Sequence, residues 1–406
     1  MPQYLFDWMP RAIAGCVFAI AFVAPRAFGN VQVSDIDFAF RTANGLKHCA
    51  PTQHAPFPFT VFGLRLNKTP EAVQHLEVSV RFSCDNSAWS PWREMTIDVD
   101  GSDPGDGPTY FGLVFAENAV SQFEAQLSAE DGSVTHDEIE ATATVINPGP
   151  TPTAAKQELQ IVKRKAWGCP DRKHSPLWPP EYATITHLVV HHTAKSNAET
   201  DWAAAVRAIW AYDTYTRGWG DIGYNYLCDP NGVVYEGRAG GNGVTGAHFS
   251  CQNTGTVGIA MLGTFDDRTP KKKQLRALER ILATTARKNN IDPLETVFHP
   301  GMGIKLDSIC GHRDGNDSDS ACTHTVCPGD SLYDLLPSIR MSVAERIGSK
   351  YYGESTFFTK PAMFWFLGLS IPSGLILLVG VIGRLRQRKP VSATASRCAA
   401  SAGKHH

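Results

Sequence analysis

A chain of 406 residues with 38 basic and 40 acidic side chains carries a formal charge of −2, so no cationic surplus exists to neutralise phosphates and nucleic acid is excluded as a partner. The length exceeds that of one ordinary domain and suggests two. Its 35 Gly and 26 Pro imply many turns and a linker.

In chain order, the first apolar run is Ala12–Pro25, which follows Arg11 and precedes Ala27-Phe28-Gly29, a small-x-small pattern suited to cleavage before Asn30. Residues 1–29 therefore read as a secretory signal peptide or, if uncleaved, as an anchor. Across residues 30–146 the segments FTVFGLRL, LEVSVRFSC, REMTIDVD, TYFGLVFA, SQFEAQLSA and EIEATATVI recur between Gly, Asp, Asn and Pro clusters. That pattern predicts an N-terminal all-β sandwich. Trp89 and Trp92 offer it either a carbohydrate-stacking platform or ordinary packing. Residues 147–160, opening NPGPTPTAA, are a Pro/Thr-rich linker expected to be extended and poor in partners.

Elements alternate over residues 161–348. THLVV is a short buried strand, and Asp201–Tyr215 is a helix with Trp202, Val206, Ile209 and Trp210 on one face. Asp229-Pro230-Asn231-Gly232 is a hairpin turn between GYNYLC and VVYEG. TVGIAMLG is another strand, Lys272–Lys288 an amphipathic helix aligning Leu275, Leu278, Leu282 and Thr285, and a last helix starts at Ser331. The prediction is an α/β domain with a central mixed β-sheet flanked by helices.

Ala362–Gly383 holds 22 residues without a charge, enough to cross a hydrocarbon core of about 30 Å as one transmembrane helix. Arg384, Arg386, Arg388 and Lys389 follow it, which makes 384–406 a cytoplasmic tail and places residues 30–360 outside the cell membrane. An exported position permits disulfides. Cys49–Cys84 is the natural pair in the first domain, and Cys310–Cys322 would fasten the loop after His312. With Cys327 reserved for a metal, an odd number of outside cysteines remains.

His191, His312 and Cys327 form a candidate site for one Zn2+. Neighbours on a strand point to opposite faces, so only one of His191 and His192 can serve it. Cys327 precedes Pro328-Gly329-Asp330 at the entry to a helix, where a thiolate is favoured. Two neutral imidazoles and a thiolate select zinc over calcium or magnesium. They also leave the fourth position open for a water whose pKa falls towards about 7. The Asp314, Asn316, Asp317 and Asp319 loop lacks the glycine and distal glutamate of a calcium-binding EF-hand.

HLVVHHTA, RGWGDIGYNYLCDPNGVVYEGR, GAHFS, TVGIAMLGTF, GHRDG and CPGDSLY occur in this order. Over roughly residues 160–345 the chain thereby resembles peptidoglycan recognition proteins and the zinc N-acetylmuramoyl-L-alanine amidases of the phage-lysozyme type. The resemblance implies that His191, His312 and Cys327 bind the zinc and that Tyr224 and Thr325 are catalytic. Arg238, His248 and Thr193 would then bind substrate. It further implies an amidase that hydrolyses the bond between N-acetylmuramic acid and L-alanine in peptidoglycan or muropeptides, which the two apolar segments make membrane-anchored and extracytoplasmic. The alternative is a non-catalytic peptidoglycan-binding sensor; loss of the ligand cysteine marks such members, and Cys327 is present. Two positions depart from the pattern. Asp213 stands where relatives often have histidine before RGW, and its place on the helical face predicts an enclosed carboxylate with a partner. Ala239-Gly240 replaces the Gly-Trp that often follows the EGR arginine, so the stem-peptide type is not readable.

Overall fold

A computed structural model describes residues 26–28, 30–42, 47–73, 75–85, 88–98, 107–129, 138–151, 161–171, 175–194, 197 and 199–349. The predicted span at 362–383, the tail and most of the predicted leader lie outside these residues. No helix among the described residues is long and apolar enough to cross a membrane.

The alternating N-terminal segments form β1 (Arg26–Phe28), β2 (Val31–Thr42), β3 (Lys47–Cys49), β4 (Gln53–Leu66), the short helix α1 (Pro70–Val73), β5 (Leu76–Ser83), β6 (Arg93–Met95), β7 (Thr109–Ala129) and β8 (Glu138–Asn147). Hydrogen bonding runs β1-β2-β8-β4-β7-β5-β6, and β3 pairs with both β2 and β7. The ring β2-β8-β4-β7-β3 is thus closed, in place of the two separate sheets expected of a sandwich. Its cause is the 21-residue β7, which pairs first with β4 and further along with β3. Phe59, Phe62, Leu64, Phe123 and Leu127 fill the interior. Trp89 and Trp92 clamp the Arg81 guanidinium at 5.0 and 4.6 Å from their ring centres, and Arg81 is ion-paired with Glu124. The two rings pack on Arg81, and Trp92 stays exposed.

The disulfide expectations are corrected. Cys49 and Cys84 are not joined, because β3 and β5 lie on opposite edges of β7 with Cys49 opposite Gln126 and Ser83 opposite Gln122. Four registers at about 3.3 Å each exceed the reach of a disulfide. Cys322 bonds to Cys251, not to Cys310.

The second half contains α2 (Arg164–Trp167), β9 (His187–His192), α3 (Trp202–Ala211), a π-helical turn (Tyr212–Thr216), β10 (Tyr226–Cys228), β11 (Val234–Glu236), β12 (Thr256–Met261), α4 (Lys272–Asn289), β13 (Thr296–His299), β14 (Ile304–Asp307), β15 (Ile309–Gly311), a 3-10 turn (His312–Asp317), α5 (Asp330–Tyr333) and α6 (Leu336–Ile347). The sheet order is β11-β10-β12-β9-β15, antiparallel only between β10 and β11. This is the mixed sheet the alternation predicted. Leu278, Ile281 and Leu282 of α4 and Ile339 and Val343 of α6 cover one face. On α3, Trp202, Val206, Ile209 and Trp210 are buried as the helical period required.

The two halves share a core. Val31, Val61, Leu113 and Ile146 of the β region join Trp202, Ile209, Trp210 and Tyr212 in one apolar cluster. The Tyr212 ring sits on Gly63, where a Cβ would lie 2.5 Å from Cε2, so the close approach requires glycine. The Tyr212 hydroxyl donates to Phe111 O at 3.1 Å, and Arg217 forms an enclosed ion pair with Asp98. The linker is not free at its start. Buried Arg207 donates to Pro148 O at 2.6 Å and Gly149 O at 2.8 Å, and the Thr151 hydroxyl bonds Asp201 at 2.6 Å. A buried guanidinium must find acceptors for its fork of donors, and these carbonyls supply them.

His187 and His299 meet at a tilt with ring centres 5.1 Å apart, both out of contact with solvent. Burial lowers both pKa values, that of His299 to about 4 with the neighbouring His187 adding to the effect. In the unfolded chain these rings titrate near 6.5, so between about pH 6.5 and 4 the unfolded state binds more protons. Stability is therefore expected to fall as pH falls through that window, and His299→Gln should flatten the dependence. Urea melts of both proteins across the window check this; parallel pH profiles would contradict it.

Candidate functional site

The site stands at the C-terminal ends of parallel strands. Gly311 of β15 lies opposite Val190 of β9, so His312 and His191 emerge side by side with ring centres 4.7 Å apart. His191 and His312 are fully buried and Cys327 is 3% exposed. One donor atom from each lies within 4.8 Å of the others. Cys327 Sγ is 3.6 Å from His191 Nδ1. Zinc bonds of about 2.05 Å to nitrogen and 2.3 Å to sulfur, opened to a tetrahedral angle, give an N···S separation of about 3.6 Å. The donor set fits zinc. His192 stays out of the cluster: its Nδ1 accepts the Phe265 N–H at 3.3 Å, while its own backbone N–H donates to Cys327 Sγ at 3.4 Å.

Arg313 and Asp314 of GHRDG bring the two ligand loops together. The Arg313 N–H donates to Cys327 O at 2.9 Å, and its guanidinium donates to Val326 O and, at 2.6 Å, to Asp330. Asp314 accepts from Gly311 N–H at 2.8 Å and from the Tyr333 hydroxyl. Cys327 precedes a helix entry as expected, α5 being a single turn that begins at Asp330. The contact on the sulfur itself comes from the His192 N–H.

Each imidazole of the cluster is oriented from behind. His191 Nε2 meets His248 Nδ1 at 3.1 Å, and His312 Nε2 meets the Ser250 hydroxyl at 3.0 Å, so Nδ1 is the nitrogen each ring can offer. Burial, and then the neighbouring imidazoles, hold the His191 pKa well below 6.5, which keeps the ring in its neutral, ligating form. Burial first, then His312 and Arg238, take that of His248 to about 3. Gly258 makes room, because a Cβ there would lie 2.4 Å from the His248 ring. The Cys251–Cys322 disulfide ties together the chain beside Ser250 and the chain beside Thr323, whose carbonyl accepts the Ser250 hydroxyl at 3.1 Å.

Tyr224, Thr325, Thr193 and Cys327 line one cleft of about 160 Å³. The Tyr224 ring centre is 5.4 Å from that of His191. Thr325 Oγ1 accepts the Cys327 N–H at 3.0 Å, and Asn316 bonds the Thr325 backbone N–H and carbonyl at 3.0 and 2.9 Å. Thr193 Oγ1 accepts from Gly263 N–H at 3.1 Å. Asp213 is enclosed with a partner, as its position predicted: Oδ2 accepts the Gly223 N–H at 2.9 Å and braces the loop leading to Tyr224.

Two residues expected to bind substrate, His248 and Arg238, do not line the cleft of Tyr224. His248 is 2% exposed and turned onto His191, a positioning contact behind the cluster. Arg238 lies in an adjacent cleft of about 110 Å³ with Glu181, Asp221 and Trp178, and its guanidinium donates to Trp219 O and Ile222 O at 3.3 Å. Sequence reasoning missed Ser250, Asn316 and the Cys251–Cys322 bond. Asn316 sits within the Asp/Asn loop considered for calcium, and nothing in the sequence marked the other two.

The family model described as N-acetylmuramoyl-L-alanine amidase matches residues 181–330. Peptidoglycan recognition protein 1 of Bos taurus is 32% identical over 191 residues, covering 45% of this chain and 85% of that protein. Peptidoglycan-recognition protein SC2 of Drosophila melanogaster is 36% identical over 154 residues, covering 37% and 72%. The N-acetylmuramoyl-L-alanine amidase of Homo sapiens is 33% identical over 153 residues, covering 37% of this chain and 23% of that protein.

The contact behind His191 has a measurable consequence. His248→Ala is expected to weaken zinc binding about 10–100-fold in competition with a chromophoric chelator, as loss of a group orienting a ligand does. Unchanged zinc affinity would return His248 to a direct role on the substrate.

Proposed function

Since this chain belongs to the peptidoglycan recognition protein family, we propose that it is a zinc-dependent N-acetylmuramoyl-L-alanine amidase that hydrolyses the amide between N-acetylmuramic acid and L-alanine in peptidoglycan. One observation carries this reading. His191, His312 and Cys327 converge within 4.8 Å, and Cys327 also borders the cleft lined by Tyr224 and Thr325.

Zinc bound by these three residues would supply a Lewis acid and a water of lowered pKa. The chain's own groups supply the rest. Cleaving an amide places negative charge on a tetrahedral oxygen, and hydroxyl donors aimed into a partly dry cleft stabilise it. Tyr224 and Thr325, each carrying a hydroxyl, line that cleft. Thr325 Oγ1 already accepts the Cys327 N–H, which leaves its own proton to donate. Neutral His191, held by His248, and His312, held by Ser250, keep the donor set fixed.

Incubation of the zinc-loaded protein with purified peptidoglycan should release new L-alanine amino termini. Release should stop with a chelator. Cys327→Ser should lose both bound zinc, read by metal analysis, and activity. Tyr224→Phe should keep its zinc and lose about 10²–10³ in kcat. Tight muropeptide binding with no release from a zinc-replete sample would favour the sensor.

The proposal extends to location: a single-pass membrane protein with the amidase region extracytoplasmic and the C-terminus cytoplasmic. Its support is the charge-free stretch Ala362–Gly383 with Arg384, Arg386, Arg388 and Lys389 directly behind it. Protease added to intact cells should degrade residues 161–348, and full protection would contradict this orientation.

A further inference from the structure

The family model stops at residues 181–330, yet the cleft beside Cys327 has a wall outside that range. Thr96, Ile97, Asp98, Gly112 and Leu113 of the β region line it together with Tyr224, Thr325 and Cys327. The wall is fixed in place. Asp98 pairs with Arg217, whose side chain is 3% exposed, and Tyr212 is seated on Gly63 with its hydroxyl on Phe111 O. Thr216 adds a hydroxyl contact to Thr144 at 3.2 Å. Leu113 belongs to the apolar cluster that holds Ile209 and Tyr212.

The two clefts differ in chemistry. The one holding Arg238 presents Glu181, a charge suited to the ionic groups of a stem peptide, while Asp221 at its floor is buried and paired with Arg164. The one walled by the β region presents Ile97, Leu113, Ile209 and Trp219, the Trp219 ring lying 4.5 Å beneath the Arg217 guanidinium. The charged residues of this lining include Asp98 and Arg217, which neutralise each other, and Asp213, which is turned onto the Gly223 N–H. An apolar surface edged by hydroxyls and carboxylates, Thr96 and Asp266 among them, matches a pyranose, whose C–H faces are apolar and whose rim carries hydroxyls. We propose that the N-terminal β region is a specificity-determining part of the site, with Thr96, Ile97 and Leu113 forming the wall against which the glycan arm of the substrate lies. This inference rests on the amidase reading above.

Thr96 is exposed and Ile97 half-buried, so Thr96→Trp and Ile97→Trp add bulk to the wall without opening the core. Both variants and the parent, matched for zinc content and melting temperature, are tested on two soluble substrates. One is a disaccharide muropeptide; the other is a lactyl peptide that carries the same scissile amide and no sugar. The expected result is a rise in KM of about tenfold on the disaccharide substrate with kcat little changed, and no change on the lactyl peptide. Equal kinetics of variant and parent on both substrates would overturn the proposal. So would an equal loss on both, because the wall would then act on the reacting centre. A parent that binds muropeptide without cleaving it would sink the amidase reading alone. The Kd values of the two ligands, measured on the same variants, would then decide the role of the wall by the same comparison.

Discussion

The parallel pairing of β9 with its neighbours is the constraint on which the site depends. Val190 opposite Gly311 and His191 opposite Ala260 fix where the strands end, and the ends fix where His191 and His312 stand. Side chains alternate along a strand, so a slip of one residue would turn His191 away from the cluster and put His192 in its place. The buried faces make such a slip costly, since every residue of β9 and β12 is enclosed. Parallel strands covered on both sides carry their ligands at the carboxyl ends, where loops can close over them. Here the loops are those of GHRDG and CPGD, and Arg313 holds one against the other.

A cluster of imidazoles so deeply buried is tolerable only if the rings are neutral and their nitrogens have partners. The Nε2 atoms of His191 and His312 find theirs in neighbours outside the cluster, His248 and Ser250. His248 and Ser250 come from one short segment, GAHFSC, which is anchored by Asn253 accepting the N–H groups of His248 and Phe249 at 2.6 and 2.8 Å. Cys251 then bonds that segment to Cys322. The support is therefore built into a loop pinned at several points, and the precision of the donor set is inherited from it.

Much of this was legible in the sequence because the relevant signals are local. The period of two in the first half, the helical face through Trp202, Val206, Ile209 and Trp210, and the Asp-Pro-Asn-Gly turn each express one short stretch of backbone. The triad itself was readable by residue type and motif order. What escaped depends on distances between segments far apart in the chain. The ring closed by β3, the Cys251–Cys322 bond and the inward turn of His248 are set by which strands become neighbours, and no spacing along the chain encodes that. Asp213 is the instructive middle case: its enclosure followed from the helical period, while its partner, the Gly223 N–H, came from the fold.

The junction of the two halves was the least legible feature because nothing in Gly63, Asp98 or Phe111 announces a partner a hundred or more residues away. Its physics is nonetheless specific. A buried ion pair such as Arg217–Asp98 adds little net stability, since desolvation offsets much of the attraction. Docking the halves in any other orientation, however, would strand the Arg217 guanidinium without its carboxylate and press the Tyr212 ring against a residue with a side chain. The correct arrangement is selected by the cost of the wrong ones. Because the π-helical turn that carries Tyr212 and Thr216 runs directly into the loop bearing Trp219, Asp221 and Tyr224, the same contacts that orient the β region also hold the cleft-lining loop. Selection of one docking geometry and construction of the cleft are thus a single event in the folding of this chain.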